Sequence, residues 1–204
     1  MPKPIFANNV NKFITQATKI NFAGEWAAVL IYSAQYKKLL QQIKQNKAQS
    51  YKLFFELKKV LKMREDELQH LQYFTMQMRH KGINPSVFMS LWTQLAELLA
   101  KASMKYTSKT GGDDYLGIML STKAVEEEII KHYQNQVNWY KKNKAFIGTK
   151  STQELFKTIE QFLQDETDHF DDAAKQTQTP RYFDEYICQI IAACCRAGIY
   201  LSKI

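Results

Sequence analysis

Apolar residues recur along most of this chain at spacings of three and four, the mark of helices that bury one face. Val60, Met63, Leu71, Phe74 and Met78 fall on one such stripe, and Leu155, Ile159, Phe162, Phe170 and Ala173 fall on another. The breaks between stripes carry helix punctuation. Gly82 before Asn84-Pro85 reads as a terminating glycine, then an N-cap, then a first-turn proline, and Thr179-Pro180 repeats the cap-then-proline signal. Ser151 with Glu154 forms a capping box just after Gly148, and Gly111-Gly112-Asp113 interrupts the chain once more. Six helices are predicted, over about 22–47, 49–80, 85–106, 114–143, 151–176 and 180–202, with no strand. Residues 1–20 are read as an N-terminal extension of a single domain, 1–204.

Composition agrees with an all-α chain. Only 7 Gly and 4 Pro occur in 204 residues, too few for a protein built from tight β-turns. The third and sixth segments are the most apolar, yet Gln94 and Glu97 interrupt the third and Gln189 and Arg196 the sixth, so neither is expected to span a bilayer. They either pack into the core or lie in a membrane interface, with Lys101, Lys105, Arg196 and Lys203 at the headgroups. The first residues lack the apolar run of a secretory signal and the Arg/Ser richness of a transit peptide, so the chain is expected to start mature. Cys188, Cys194 and Cys195 have no companion histidine at metal spacing and read as small core residues in a reducing compartment.

The net charge of +8 raises an anionic partner, a membrane surface or nucleic acid. The segment from Lys37 to Arg64 contains nine basic residues and one acid, Glu56, which accounts for the whole excess. No nucleic-acid module accompanies it, so nucleic acid is not expected as a partner. The segment reads as a solvated basic hairpin or as a contact for anionic lipid or a partner.

The candidate chemistry lies on the apolar stripes. Glu67 and His70 form E-x-x-H in one segment, and Glu166 and His169 repeat it in another. Three residues on a helix bring two side chains to one side, one turn apart, so a carboxylate and an imidazole can reach one metal ion. The chain has only 4 His, and two of them follow a glutamate at this spacing. Glu25 is the only charge in Phe22 to Tyr32, with Phe22, Val29 and Tyr32 on its stripe. Among Glu126, Glu127 and Glu128, only Glu126 shares a stripe with Met119, Ile130, Tyr133 and Val137. Each glutamate precedes its E-x-x-H by one helical hairpin of nearly equal length. Docked about a pseudo-twofold axis, the hairpins bring Glu25, Glu67, His70, Glu126, Glu166 and His169 to one centre, as in ferritin-like di-metal bundles. The expected fold is therefore a ferritin-like four-helix di-iron bundle with two additional apolar helices. Such a donor set suits iron or manganese better than zinc. Oxygenation of an apolar substrate, iron oxidation and peroxide reduction all remain open at this stage.

Several segments resemble the demethoxyubiquinone hydroxylase family of ubiquinone biosynthesis. Phe22-Ala23-Gly24-Glu25-Trp26 with Ile31-Tyr32-Ser33-Ala34-Gln35 is similar to its H-A-G-E-Y…I-Y-A-G-Q element, and Asn84 to Trp92 to its R-P-T-x-L-M-P-L-W segment. Ala124-Val125-Glu126-Glu127 with His132 to Gln136 resembles A-V-E-E…H-Y-N-x-Q, Asp165 to His169 resembles D-E-x-x-H, and Cys195 to Ser202 resembles C-R-x-A-I-x-L-S. The resemblance implies a di-iron monooxygenase with two Fe ions, acting on a polyprenylated quinol with O2 and an electron donor. It also implies a peripheral membrane protein, on the cytoplasmic face of a bacterial membrane or the matrix face of the mitochondrial inner membrane, with other ubiquinone-biosynthesis proteins as partners. His132 and Tyr133 match a family pair near the site, which implies a supporting or electron-transfer role. Two departures stand out: Phe22 replaces the histidine of H-A-G-E, and the segment between Glu25 and Glu67 is longer than usual. The alternatives are an iron-oxidising or peroxide-reducing di-iron protein and a non-enzymatic lipid- or quinone-binding helical protein.

Overall fold

A computed structural model describes residues 4–45, 50–109, 113–147, 149–179, 181 and 183–203. Six α-helices run in order: α1 Pro4–Gln45, α2 Ser50–Lys81, α3 Met89–Lys109, α4 Asp114–Asn143, α5 Lys150–Gln176 and α6 Asp184–Leu201. No strand occurs among the described residues.

The expected N-terminal extension is instead the first part of α1. Val10, Ile14, Ala17 and Ile20 are buried at helical spacing and continue the stripe that leads to Glu25. Val10 and Ile14 join Val137, Ile147, Leu155 and Phe156 in one apolar cluster, and Phe13 stacks on Trp139 with ring centroids 3.7 Å apart. Burying such side chains stabilises by about 1.5–3 kcal/mol each, which holds this stretch of α1 on the bundle.

Other boundaries moved as well. Gly82 does end α2 with a positive φ of 61°, but α3 starts at Met89 rather than at Pro85. The Ser86 hydroxyl accepts from the Phe88 backbone N–H in the turn that leads into the helix, and Asn84-Pro85 lies outside it. At α5 the cap is Thr149, which accepts from Thr152, and not Ser151. α6 begins at Asp184, whose carboxylate holds the Arg181 backbone N–H and guanidinium. The expected breaks at Gly111, Gly112, Gly148 and Pro180 lie outside the described residues.

α1, α2, α4 and α5 form the bundle, with α1 packed closely on α2 and α4 on α5. α3 lies against α1 and α4, and α6 mainly against α4. Rising positions on α1 meet falling positions on α4 along one polar seam: Asn21 with Gln136, Glu25 with Tyr133, Tyr32 with Glu126, Gln35 with Ser121 and Gln42 with Asp114. The two helices are therefore antiparallel, and the seam fixes their register.

The outer helices keep an exposed apolar side. Leu91, Leu95 and Leu98 on α3 and Tyr186, Ile190 and Tyr200 on α6 face outward. No helix among the described residues is long and apolar enough to cross a membrane. The described part of the basic stretch lies on the end of α1 and the first half of α2, and part of its charge is matched within the fold: Lys52 pairs with Asp113, Lys59 with Asp172 and Lys62 with Asp66. The cysteines are free, and only Cys188 and Cys195 are half-buried; Cys194 is exposed, contrary to the expected core position.

Candidate metal centre

The six carboxylate and imidazole residues singled out from the sequence converge at mid-bundle, none more than 6% exposed. They form two overlapping groups, Glu25–Glu67–His70–Glu166 and Glu67–Glu126–Glu166–His169, within each of which the donor atoms lie no more than 4.8 Å apart. Glu67 and Glu166 belong to both groups, so they stand between two positions for an ion, with Glu25 and His70 at one and Glu126 and His169 at the other.

The imidazoles point the same way in both halves. His70 Nδ1 lies 3.1 Å from Glu166 and 3.6 Å from Glu25, and His169 Nδ1 lies 3.4 Å from Glu166 and 3.5 Å from Glu67. Each Nε2 faces a carboxylate across the bundle, His70 with Asp165 and His169 with Asp66, both at 3.2 Å. A proton kept on Nε2 by these aspartates leaves Nδ1 as the donor nitrogen toward the centre. Asp66 and Asp165 were not among the expected site residues, although an aspartate precedes the E-x-x-H in both halves.

Four buried carboxylates face two imidazoles, a charge imbalance that burial makes costly. Burial, reinforced by Glu166, pushes Glu67 and Glu126 well above the usual carboxylate range. Burial works against the charge of Glu166 too, but His169 and His70 outweigh it and pull that carboxyl down to about 2. Burial likewise opposes the charge on His70, yet Glu166 and Glu25 raise its pKa to about 12; His169 is pushed up by Asp66, Glu166 and Glu67 against the same penalty. Without metal, the two imidazoles thus act as the cations of the cluster.

The residues fit a pair of metal ions. Both oxygens of Glu67, both oxygens of Glu166 and the Nδ1 atoms of His70 and His169 are buried without a hydrogen-bond partner. Unsatisfied buried groups are rare in native folds, and these six are the atoms that face one another. A set of four carboxylates and two imidazoles suits iron or manganese.

Two tyrosines complete the lining. Tyr32 on α1 donates to Glu126 on α4, and Tyr133 on α4 donates to Glu25 on α1. Burial raises both phenols well above their ordinary pKa, so they remain protonated donors. Tyr133 was an expected site residue; Tyr32 was read only as an apolar neighbour of Glu25. His132, the other expected residue of that pair, is half-buried in a network with Asn21 and Gln136. Burial, with Lys203 adding to it, lowers its pKa to about 4 and keeps it neutral. Glu127 is exposed, as expected of an outward position, but Glu128 is buried because α6 covers it and Arg196 pairs with it at 2.9 Å.

A cavity of about 290 Å³ opens onto the carboxylates Glu25, Glu67, Glu126 and Glu166. Its walls are apolar, built by Ile31, Trp92, Leu99, Val125 and Ile129, and at its rim stand the exposed residues Leu95 and Leu98. His132 and Asn21 supply polar groups in the same wall.

Comparison with known proteins agrees with this geometry. The chain is 29% identical over 199 residues to the rat protein named NADPH-dependent 3-demethoxyubiquinone 3-hydroxylase, mitochondrial, covering 96% of this chain and 80% of that one. The human protein of the same name is 29% identical over 192 residues, covering 93% and 77%. The Saccharomyces cerevisiae 5-demethoxyubiquinone hydroxylase, mitochondrial, is 27% identical over 200 residues, covering 94% and 78%. The profile of the family described as ubiquinone biosynthesis protein COQ7 matches residues 12–202, and the chain belongs to that family.

Proposed function

We propose that this chain is a di-iron monooxygenase that hydroxylates the ring of a demethoxyubiquinol. The observation that carries this reading is the apolar cavity that ends on Glu25, Glu67, Glu126 and Glu166. A chamber with apolar walls suits a ring that must reach the metals without water.

In this reading Glu25, Glu67, His70, Glu126, Glu166 and His169 hold two iron ions, which would supply the reductive activation of O2 that no side chain here can perform. The protein positions the ions and the ring. Asp66 and Asp165 keep protons on the outer imidazole nitrogens, and the walls formed by Ile31, Trp92, Leu99 and Val125 bind the ring and exclude water. One oxygen atom enters the ring as hydroxyl in place of a C–H hydrogen and the other leaves as water, so two electrons and two protons come from an external donor. The mammalian relatives are named NADPH-dependent, which points to a reduced nicotinamide as the source.

The route to the ring also fits a membrane substrate. Leu95 and Leu98 line the cavity and are exposed on α3, beside the apolar side of α6. A surface of this kind rests in a bilayer interface and lets a polyprenyl tail stay in lipid while its ring enters.

The test is single-turnover reaction of the iron-loaded chain with a demethoxyubiquinol under ¹⁸O2, read by mass spectrometry. A ring product heavier by one ¹⁸O supports the reading. Consumption of Fe(II) and O2 with no labelled product contradicts it and favours an iron-oxidising protein.

A further inference from the structure

A polar group in the wall of the cavity takes no part in the metal centre. Asn21 and His132 are bonded to each other and to Gln136, and Tyr133 donates to Glu25. Trp92 on α3 lines the same cavity and is 8% exposed, yet its indole Nε1–H is buried without a hydrogen-bond partner. A buried indole N–H in this state is uncommon, because the donor has given up water with no replacement. Trp26 nearby shows the usual arrangement: its Nε1–H donates to the Thr93 hydroxyl at 3.1 Å.

We propose that Trp92 is a specificity-determining residue that donates a hydrogen bond from Nε1 to an oxygen of the bound quinol ring. An indole N–H donates and cannot accept, so its partner must present a lone pair. A quinol and its quinone carry such oxygens around the ring, as hydroxyl or carbonyl and as methoxy, whereas the prenyl tail is a hydrocarbon and carries none. The donor therefore distinguishes one end of the substrate from the other. The proposal rests on the reading that such a ring enters this cavity.

The placement of Trp92 suits a ring rather than a tail. Leu95 and Leu98 stand on the same helix at the exposed rim, while Trp92 is buried. A tail that leaves past the two leucines puts its ring on the buried side of the cavity, with the indole. The six-membered edge of that indole packs on α6 at Gly198, where a Cβ would lie 3.9 Å from Cζ3 and 4.0 Å from Cη2. Its backbone N–H bonds to the Phe88 carbonyl in the first turn of α3. The side chain is thus held by packing and by its helix, and the Nε1–H is left for a ligand.

The test removes the N–H and keeps the shape. Benzothienylalanine incorporated in place of Trp92 puts sulfur where the N–H stands. Calorimetry on the iron-loaded chain in detergent then measures two probes: a short-tailed demethoxyubiquinone, and a prenylated benzene with alkyl groups in place of the ring oxygens. The sulfur variant should bind the quinone about 2–12-fold more weakly than wild type and the hydrocarbon equally well. KM for the quinol should rise by the same factor while kcat and iron content hold. A role confined to packing would change the binding of both probes alike. Should the variant fail to fold, the wild-type chain labelled with ¹⁵N at its indoles carries the test: the Trp92 Nε1–H resonance should move downfield with the quinone and stay in place with the hydrocarbon, and that of Trp26 should stay in place with both. Unchanged quinone binding in the sulfur variant, equal weakening for both probes, or a Trp92 resonance that ignores the quinone would overturn the proposal and leave the reading of the cavity standing. A wild-type chain that binds neither probe would overturn that reading along with it.

Discussion

Asp66 on α2 lies 3.2 Å from His169 Nε2 on α5, and the mirror pair, Asp165 on α5 and His70 on α2, repeats the distance. Each half of the protein thus orients the imidazole of the other half. Asp66 is itself held by Lys62, and its position is fixed before any metal arrives. Replacing it by Ala should weaken iron binding by about 10–100-fold, measured by competition with a chromogenic chelator. Asp168→Ala, in the same helical turn as His169 but bonded outward to Gln164, should leave affinity unchanged.

Sharing of Glu67 and Glu166 between the two groups makes metal content a graded readout. Glu166→Ala should remove both ions, because each position loses a donor. Glu25→Ala takes a donor from one position only and should leave about one ion per chain by elemental analysis. Equal loss in both variants would contradict the assignment of Glu166 to the middle of the site.

Proton traffic on loading follows from the imidazoles. His70 has a folded pKa of about 12, far above its unfolded value, so its protonated form contributes to the stability of the metal-free chain below pH ~6.5. That contribution is lost as pH rises toward 12. Metal needs the neutral Nδ1 and displaces the proton. Loading at neutral pH in weak buffer should therefore acidify the solution, and iron affinity should rise with pH. Indicator dye absorbance during anaerobic Fe(II) titration reads the release; no release would mean that the imidazoles are neutral before loading.

The cavity can be closed without touching the donors. Ala27 is half-buried on its wall, and Ala27→Phe fills space next to the carboxylates. Iron content should stay at the wild-type level while quinol turnover falls at least tenfold; the destabilisation expected of overpacking is about 1–3 kcal/mol. Loss of iron in this variant would show that the cavity and the metal centre are not separable.

The convergence of the six carboxylate and imidazole residues was legible in the sequence because a charge on an apolar stripe is conspicuous. Glu25, Glu126 and the two E-x-x-H pairs stand on faces that the helical period marks as buried. Asp66 and Asp165 were not legible in the same way. Each precedes its glutamate by one position, on the flank of the helix where a carboxylate reads as solvated, and its partner is defined only by the antiparallel pairing of α2 with α5. Tyr32 escaped for the same reason: its stripe was evident, but its acceptor on α4 depends on register across the bundle. Glu128 was read as outward because helical phase distinguishes one seam only, and α6 buries a second. The start of α1 was missed because no cap marks it, although Val10, Ile14 and Ala17 already carried the period.

The central claim is that this centre hydroxylates a demethoxyubiquinol, and the most direct measurement is the quinone pool of a host that lacks its own hydroxylase. Expression of the chain should convert accumulated demethoxyubiquinone to ubiquinone, read by mass spectrometry, while Glu166→Ala should leave the pool unconverted. Persistent demethoxyubiquinone in the presence of the folded, iron-loaded wild-type chain, or rescue by the metal-free variant, would contradict the account.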